Sequence, residues 1–177
     1  MAPVPHQGPE RPTEPGGPLR LSPADAAFIE SSVSILAAAE GAERRPVMAR
    51  AIAARLEPDT GRIRLCLRTV DAAALIAGAL GHGRVAAMFS RPQTNETIQI
   101  KGDEVRAERP TAEDDAARRR YPPMMIAELM PLGFTPAFVG CVVSDHGSSI
   151  GVLSFMPRVL FDQTPGPQAG RPRECGR

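Results

Sequence analysis

Two short-period apolar runs, PVMARAIAARL at 46–56 and GRIRLCLRT at 61–69, stand on either side of the segment EPDT. Pro58, Asp59 and Gly61 supply turn chemistry between them, so the pair reads as two antiparallel strands joined by a hairpin. Other segments follow the same rule. VSILAAAE at 33–40 and RVAAMFS at 84–90 have the length and apolar content of buried strands, and ETIQIKGDEVRAER at 96–109 reads as a long strand that Gly102 bends or bulges. In that strand Ile98 and Ile100 face one way while Thr97, Gln99 and Lys101 face the other. AFVGCVVSDHGSSIGVLSFMP reads as a second hairpin, turning at Asp145, His146 and Gly147.

Short helices punctuate these strands. Ser22 as N-cap, Pro23 in first position and Asp25 in the first turn start a helix that ends near Ser31. Asp71 caps AAALIAGAL, which stops at Gly81 or Gly83. Thr111 opens AEDDAARRR, whose acids lie at its positive end and whose arginines lie at its negative end, so Arg118, Arg119 and Arg120 need no nucleic acid to explain them. Pro122 and Pro123 interrupt this helix, and MMIAELMPLG forms a further helical turn. The expectation is a mainly β chain of about seven strands in antiparallel meanders, closed into a small barrel with peripheral helices.

Nineteen prolines in 177 residues are about twice the usual ~5%. Seven of them lie between Pro3 and Pro23 among Gly8, Gly16 and Gly17, and Pro165, Pro167 and Pro172 crowd the other end. This composition divides the chain into a disordered tail at 1–21, a folded domain at 22–163 and a second Pro/Gly-rich tail at 164–177. Twenty-one basic against 20 acidic residues give a formal charge of +1, which provides no global field for nucleic acid or an anionic membrane. No apolar run reaches the ~20 residues of a membrane span and the N-terminus has no secretory pattern, so neither nucleic acid nor membrane is an expected partner and the expected location is cytoplasmic.

Familiar catalytic signatures are missing from the sequence. It has no GxxxxGK[ST] loop and no GxGxxG turn after a strand. Cys66, Cys141 and Cys175 form no CxxC pair, and His6, His82 and His146 have no partner at metal-ligand spacing. What stands out is a set of cations on predicted strands. Arg62, Arg64 and Arg68 share one face and read as cross-strand ion pairs or edge charges. Arg50, amid Ala49, Ala51 and Ile52, points to a specific anion, because a guanidinium buried without a partner is costly. Arg55 lies five residues on, which puts it on the opposite face of a regular strand unless a bulge intervenes.

The order RPVMARAIAARL, hairpin, GRIRLCLRT, DAAALIAGAL, RVAAMFSRP and TNETIQIKG resembles the pyridoxamine 5'-phosphate oxidase-related FMN-binding split barrels, as does the ending LSFMPRVLFDQTPGPQAG. The resemblance implies a split β-barrel, a homodimer with FMN in clefts between the two copies, and oxidoreductase chemistry on a substrate it does not specify. It also implies the site residues. Arg50 and Arg55 match the basic positions that hold the flavin phosphate, Arg68 and Thr69 lie at the strand-to-helix junction, and Thr97, Gln99 and Lys101 line the isoalloxazine edge. Two other readings stay open at this point: a haem-binding or haem-handling barrel using His146 or His82, and a cofactor-free dimeric module.

Overall fold

The computed structural model describes residues 19–173, so 1–18, the greater part of the expected N-terminal tail, lie outside the described residues. Six strands, β1 (Ser34–Glu40), β2 (Pro46–Leu56), β3 (Ile63–Arg68), β4 (Arg84–Ser90), β5 (Thr97–Glu108) and β6 (Ile150–Asp162), close into an antiparallel barrel in the order β1-β2-β3-β6-β5-β4. Four helices accompany them: α1 (Pro23–Ile29), α2 (Thr69–His82), α3 (Ala112–Leu129) and α4 (Pro136–Val143).

Period-2 alternation builds the core. The rows Ile35–Phe89–Ile98 and Ala37–Ala87–Ile100 point inward in register, and Ile63, Leu65 and Leu67 of β3 meet Phe155, Leu153 and Gly151 of β6. The apolar side chains of these rows are at most 1% exposed. Gly102 is required where β5 crosses β6, because a Cβ there would lie 2.2 Å from the Met156 carbonyl oxygen and 2.4 Å from the Phe155 ring. The expected irregularity is found at that residue, as a register shift between Lys101 and Gly102.

The β2–β3 hairpin forms as its turn residues dictate, with Gly61 at φ 74°. Its register slips between Ala51 and Ala53, where β2 carries one extra residue. This bulge turns Arg50 and Arg55 outward on the same side of the barrel, although an odd spacing in a regular strand would separate them.

Several sequence expectations are corrected. The strands number six, because Pro136–Val143 is a helix and not the first arm of a second hairpin. Thr135 caps it by accepting from the Phe138 N–H, Pro136 sits in its first turn, and Val139 and Val143 are buried. An apolar run of this length satisfies either state, and the cap decides. The Asp145-His146-Gly147 turn exists, but it joins α4 to β6. Helix α3 runs straight through Pro122 and Pro123 to Leu129. Pro123 is exposed, on the side away from Ala117, Tyr121 and Met125, and Pro122 is half-buried; the packing of those three residues on the barrel carries the helix past the missing N–H groups. Asp71 lies in the first turn of α2 and does not cap it; Arg68 takes the cap position. Gly83, at φ 66°, ends α2. Beyond Gln163 the chain turns back along β6, where Pro172 bridges Phe161 and Arg173 reaches Asp25 at 3.3 Å.

Candidate functional site

The outer surface of the barrel has two sectors. Over the first, α3 lies across β2 with Asp114, Ala117, Tyr121, Met125 and Glu128 turned inward. Arg55 and Arg64, directly paired across β2 and β3, converge on the Asp114 carboxylate. Arg55 Nε donates to Asp114 Oδ1 at 2.7 Å, and Arg64 Nη2 to Oδ2 at 2.8 Å. Arg64 also pairs with Glu108, which accepts from Ser154, itself an acceptor for Arg62 Nε at 3.2 Å. Asp114 has a further task as the third residue of a capping box, accepting the Thr111 N–H at 2.9 Å.

Electrostatics here follow from burial. Asp114 is fully buried, which opposes its ionisation, but hydrogen bonds from Arg64, from the Thr111 backbone and from Arg55 outweigh burial and hold its pKa at about 2. Glu108 is lowered in the same way: burial resists, and the Ser154 and Arg64 hydrogen bonds prevail. Beneath them burial, then the charge of Asp114, pushes the Cys66 thiol up to about 12, so this sulfur is a protonated, inert core group. Tyr121 is also raised by burial and donates its hydroxyl to the Val33 carbonyl at 2.7 Å.

The second sector is the outer face of β1, β4 and β5, with the end of β2. Register places Arg50, Leu36, Met88 and Gln99 on one rung across β2-β1-β4-β5, and Met48, Ala38, Ala86 and Lys101 on the next. Arg50 Nη1 donates to Ser34 Oγ at 2.8 Å, and Thr97 Oγ1 donates to Ser90 Oγ at 3.0 Å, Ser34 and Ser90 being register partners. Lys101 Nζ sits 4.9 Å from the centre of the Phe161 ring. The apolar members of the rungs are half-buried, and Met48 is 69% exposed.

The seven expected site residues therefore divide. Arg50, Thr97, Gln99 and Lys101 share the open sector, and Arg55 is under α3. Arg68 and Thr69 sit at the α2 junction, where Arg68 Nη1 donates to the Ser144 carbonyl at 3.1 Å, its Nε lies 2.6 Å from Asp71, and Thr69 Oγ1 donates to the Ser149 carbonyl at 3.1 Å. Sequence reasoning missed Ser34 and Ser90, which only the barrel closure between β1 and β4 brings together. It also missed Asp114 as the partner of Arg55, although the spacing Thr111-x-x-Asp114 was visible as a helix start.

A flavin mononucleotide needs a cationic seat for its phosphate and polar groups along its ring. Arg50 fits the first need. Among the described arginines of β2 and β3 it is the one with no carboxylate within 4.0 Å, and it is half-exposed. Gln99 and Lys101 fit the second, three strand spacings or about 14 Å from Arg50 along the sheet. Arg55 does not fit in this arrangement, since a phosphate there would have to displace a buried carboxylate. Regarding metal chemistry, the described residues contain no cluster of three or more His, Cys, Asp or Glu. His146 is exposed with Nε2 2.7 Å from the Cys141 carbonyl oxygen, and His82 is the last residue of α2.

No protein-family model matches the sequence, and no curated protein matches it. Solved structures do. Group A Streptococcus HupZ is similar over 85% of this chain and 99% of its own, at 14% identity and a TM-score of 0.52. A pyridoxamine 5'-phosphate oxidase-related, FMN binding protein from Nostoc punctiforme PCC 73102 is similar over 84% and 87% at 15% identity and a TM-score of 0.46. General Stress Protein 26 from Bacillus anthracis str. Sterne is similar over 76% and 87% at 10% identity and 0.44. At this identity the likeness to HupZ shows the fold alone. The chain is a split β-barrel whose structural neighbours include pyridoxamine 5'-phosphate oxidase-related FMN-binding proteins.

Proposed function

We propose that the chain is an FMN-binding, oxidoreductase-like protein of the cytoplasm that holds its cofactor at the interface of a homodimer. One observation carries this reading: Arg50, alone among the described arginines of β2 and β3, has no carboxylate partner, and it stands at the edge of a face of polar and half-buried apolar side chains. Its guanidinium would hold the phosphate by charge-assisted hydrogen bonds, with Ser34 fixing its orientation. Gln99 and Lys101 would meet the ring edge, where a donor or a cation favours added negative charge. Bound flavin would supply hydride or electron transfer, which suits a chain in which we find no activated nucleophile. The second copy has a defined task. Leu36, Ala38, Met48, Ala86 and Met88 offer an apolar patch that dimerisation would bury and that would dry the cofactor cleft.

A spectrum of the purified protein tests the reading. Flavin absorbance, or quenching of added FMN fluorescence, is expected, together with a dimer by light scattering. A colourless protein that neither quenches FMN nor loses affinity on Arg50→Ala would overturn it. A haem Soret band abolished by His146→Ala or His82→Ala would favour the haem alternative; against that alternative, the His146 ring nitrogen Nε2 is already bonded to the Cys141 carbonyl.

A further inference from the structure

The connection from α3 to α4 presents nine consecutive exposed residues, 130–138, of which Met130, Leu132, Phe134 and Phe138 are 43% to 55% exposed. Phe134 and Phe138 stack with ring centres 5.7 Å apart. Half of four large apolar side chains amounts to several hundred Å², the size at which an exposed patch on a soluble domain has a use. Its sequence surroundings carry a charge bias. Between Arg118 and Ser144 the chain has three arginines and a single carboxylate, Glu128, which is buried and bonded to Ser32 and Gln93. Arg119 and Arg120 are exposed and have no carboxylate within 4.0 Å among the described residues.

Three occupants are conceivable for such a patch, and its shape and charge select one. A partner helix would want a groove, whereas nine exposed residues in succession make a protruding tip. A second copy of the chain would contact this tip through its own, setting Arg119 and Arg120 of each near the same pair of the other with no carboxylate to separate them. An anionic lipid surface answers both features. Apolar tips sink about 5–10 Å into the headgroup boundary, and eleven helical residues at 1.5 Å each put Arg119 about 16 Å along α3 from Met130, on the same helix face, which leaves its charge within about a Debye length of the anionic surface.

We propose that the 130–138 tip, with Arg119 and Arg120, docks the barrel peripherally on an anionic membrane. No described helix is long and apolar enough to cross a bilayer, and none is needed for this contact. The near-neutral net charge, which excludes a global attraction, leaves room for a local one.

The full chain has no tryptophan, so Phe138→Trp places a single reporter at the tip. With vesicles of equal parts phosphatidylcholine and phosphatidylserine its emission is expected to shift to the blue and the wild-type protein to float with the vesicles. Phosphatidylcholine alone should give far weaker binding. Arg119→Gln with Arg120→Gln should cost about fivefold in affinity per residue, and Phe134→Ser with Phe138→Ser should abolish flotation at unchanged circular dichroism. Absence of flotation by the wild-type chain overturns the proposal. So does flotation that survives the double Phe→Ser substitution, or a tip that changes only the sedimentation mass of the protein, which would assign it to a contact between copies.

Discussion

Arg50 and Arg55 lie on the same strand, and one bulge puts them on the same side of the barrel, yet they have opposite fates. Arg55 is taken up by Asp114 and Thr111 from a helix packed over it. Arg50, five residues away, has a serine hydroxyl and no carboxylate. The contrast shows how a barrel can use one row of cations for two purposes. Where a helix brings its own carboxylate, the guanidinium becomes part of the fold, and its burial is tolerable because both charges are hydrogen-bonded. Where no carboxylate arrives, the guanidinium keeps its capacity for an outside anion. Removing Arg55 and removing Arg50 should therefore show in different measurements.

The largest effect is expected on the clamped side. Asp114→Ala takes the buried carboxylate from two guanidiniums, leaving Arg64 with Glu108 and Arg55 with Glu57 at 4.0 Å, and breaks the α3 capping box, so unfolding in urea should show a loss of about 3 kcal/mol. A loss under about 1 kcal/mol would mean that α3 is held by Tyr121 and Met125 packing and that the ion cluster is incidental. Next comes Arg50→Ala, which should leave urea stability within about 1 kcal/mol of wild type while weakening FMN by about 1.5–3 kcal/mol, the worth of a charge-assisted contact. Titrations of FMN fluorescence on the two variants would decide whether the open side has the function assigned to it. Equal losses of stability in both would erase the distinction.

Much of the barrel was legible in the sequence because period-2 alternation and turn residues are local signals. The hairpin from Pro46 to Arg68, the inward Ile98 and Ile100, the irregularity at Gly102 and the Ser22 cap all follow from neighbours along the chain. What was misread depended on distance in sequence. VGCVV at 139–143 is as compatible with a strand as with a helix, and its state is set by the Thr135 cap and by packing on α3. Pro122 and Pro123 are helix breakers by local chemistry, overridden by a face that packs on the barrel. The candidate site divides in the same way. Arg50 stood out as an arginine among alanines, but the pairing of Arg55 with Asp114 spans 59 residues, and Ser34 meets Ser90 only because β4 closes on β1.

Acid should act through the clamped side. The folded pKa of Asp114 is about 2, below its ordinary 3.8, so its contribution to stability is complete above pH ~4 and is lost as pH falls through about 2. Nearly two pKa steps correspond to about 2–3 kcal/mol, and Glu108, lowered for a similar reason, adds in the same direction. Urea midpoints between pH 6 and pH 2 should fall accordingly in wild type and in Arg50→Ala, and more shallowly in Asp114→Ala. An identical slope in all three would remove the clamp from the account of acid stability.

The smallest expected effect tests the open side most finely. Ser34 accepts one hydrogen bond from Arg50 at 2.8 Å and is half-buried itself. Ser34→Ala keeps the charge of Arg50 and removes only what orients it, so the fold should be nearly indifferent. If Arg50 binds a phosphate, the variant should lose about 0.5–1.5 kcal/mol of FMN affinity, with little further loss when combined with Arg50→Ala, because two residues acting on one ligand through one contact are not additive. Full additivity in that cycle would separate Ser34 from Arg50 and place the phosphate elsewhere on the barrel.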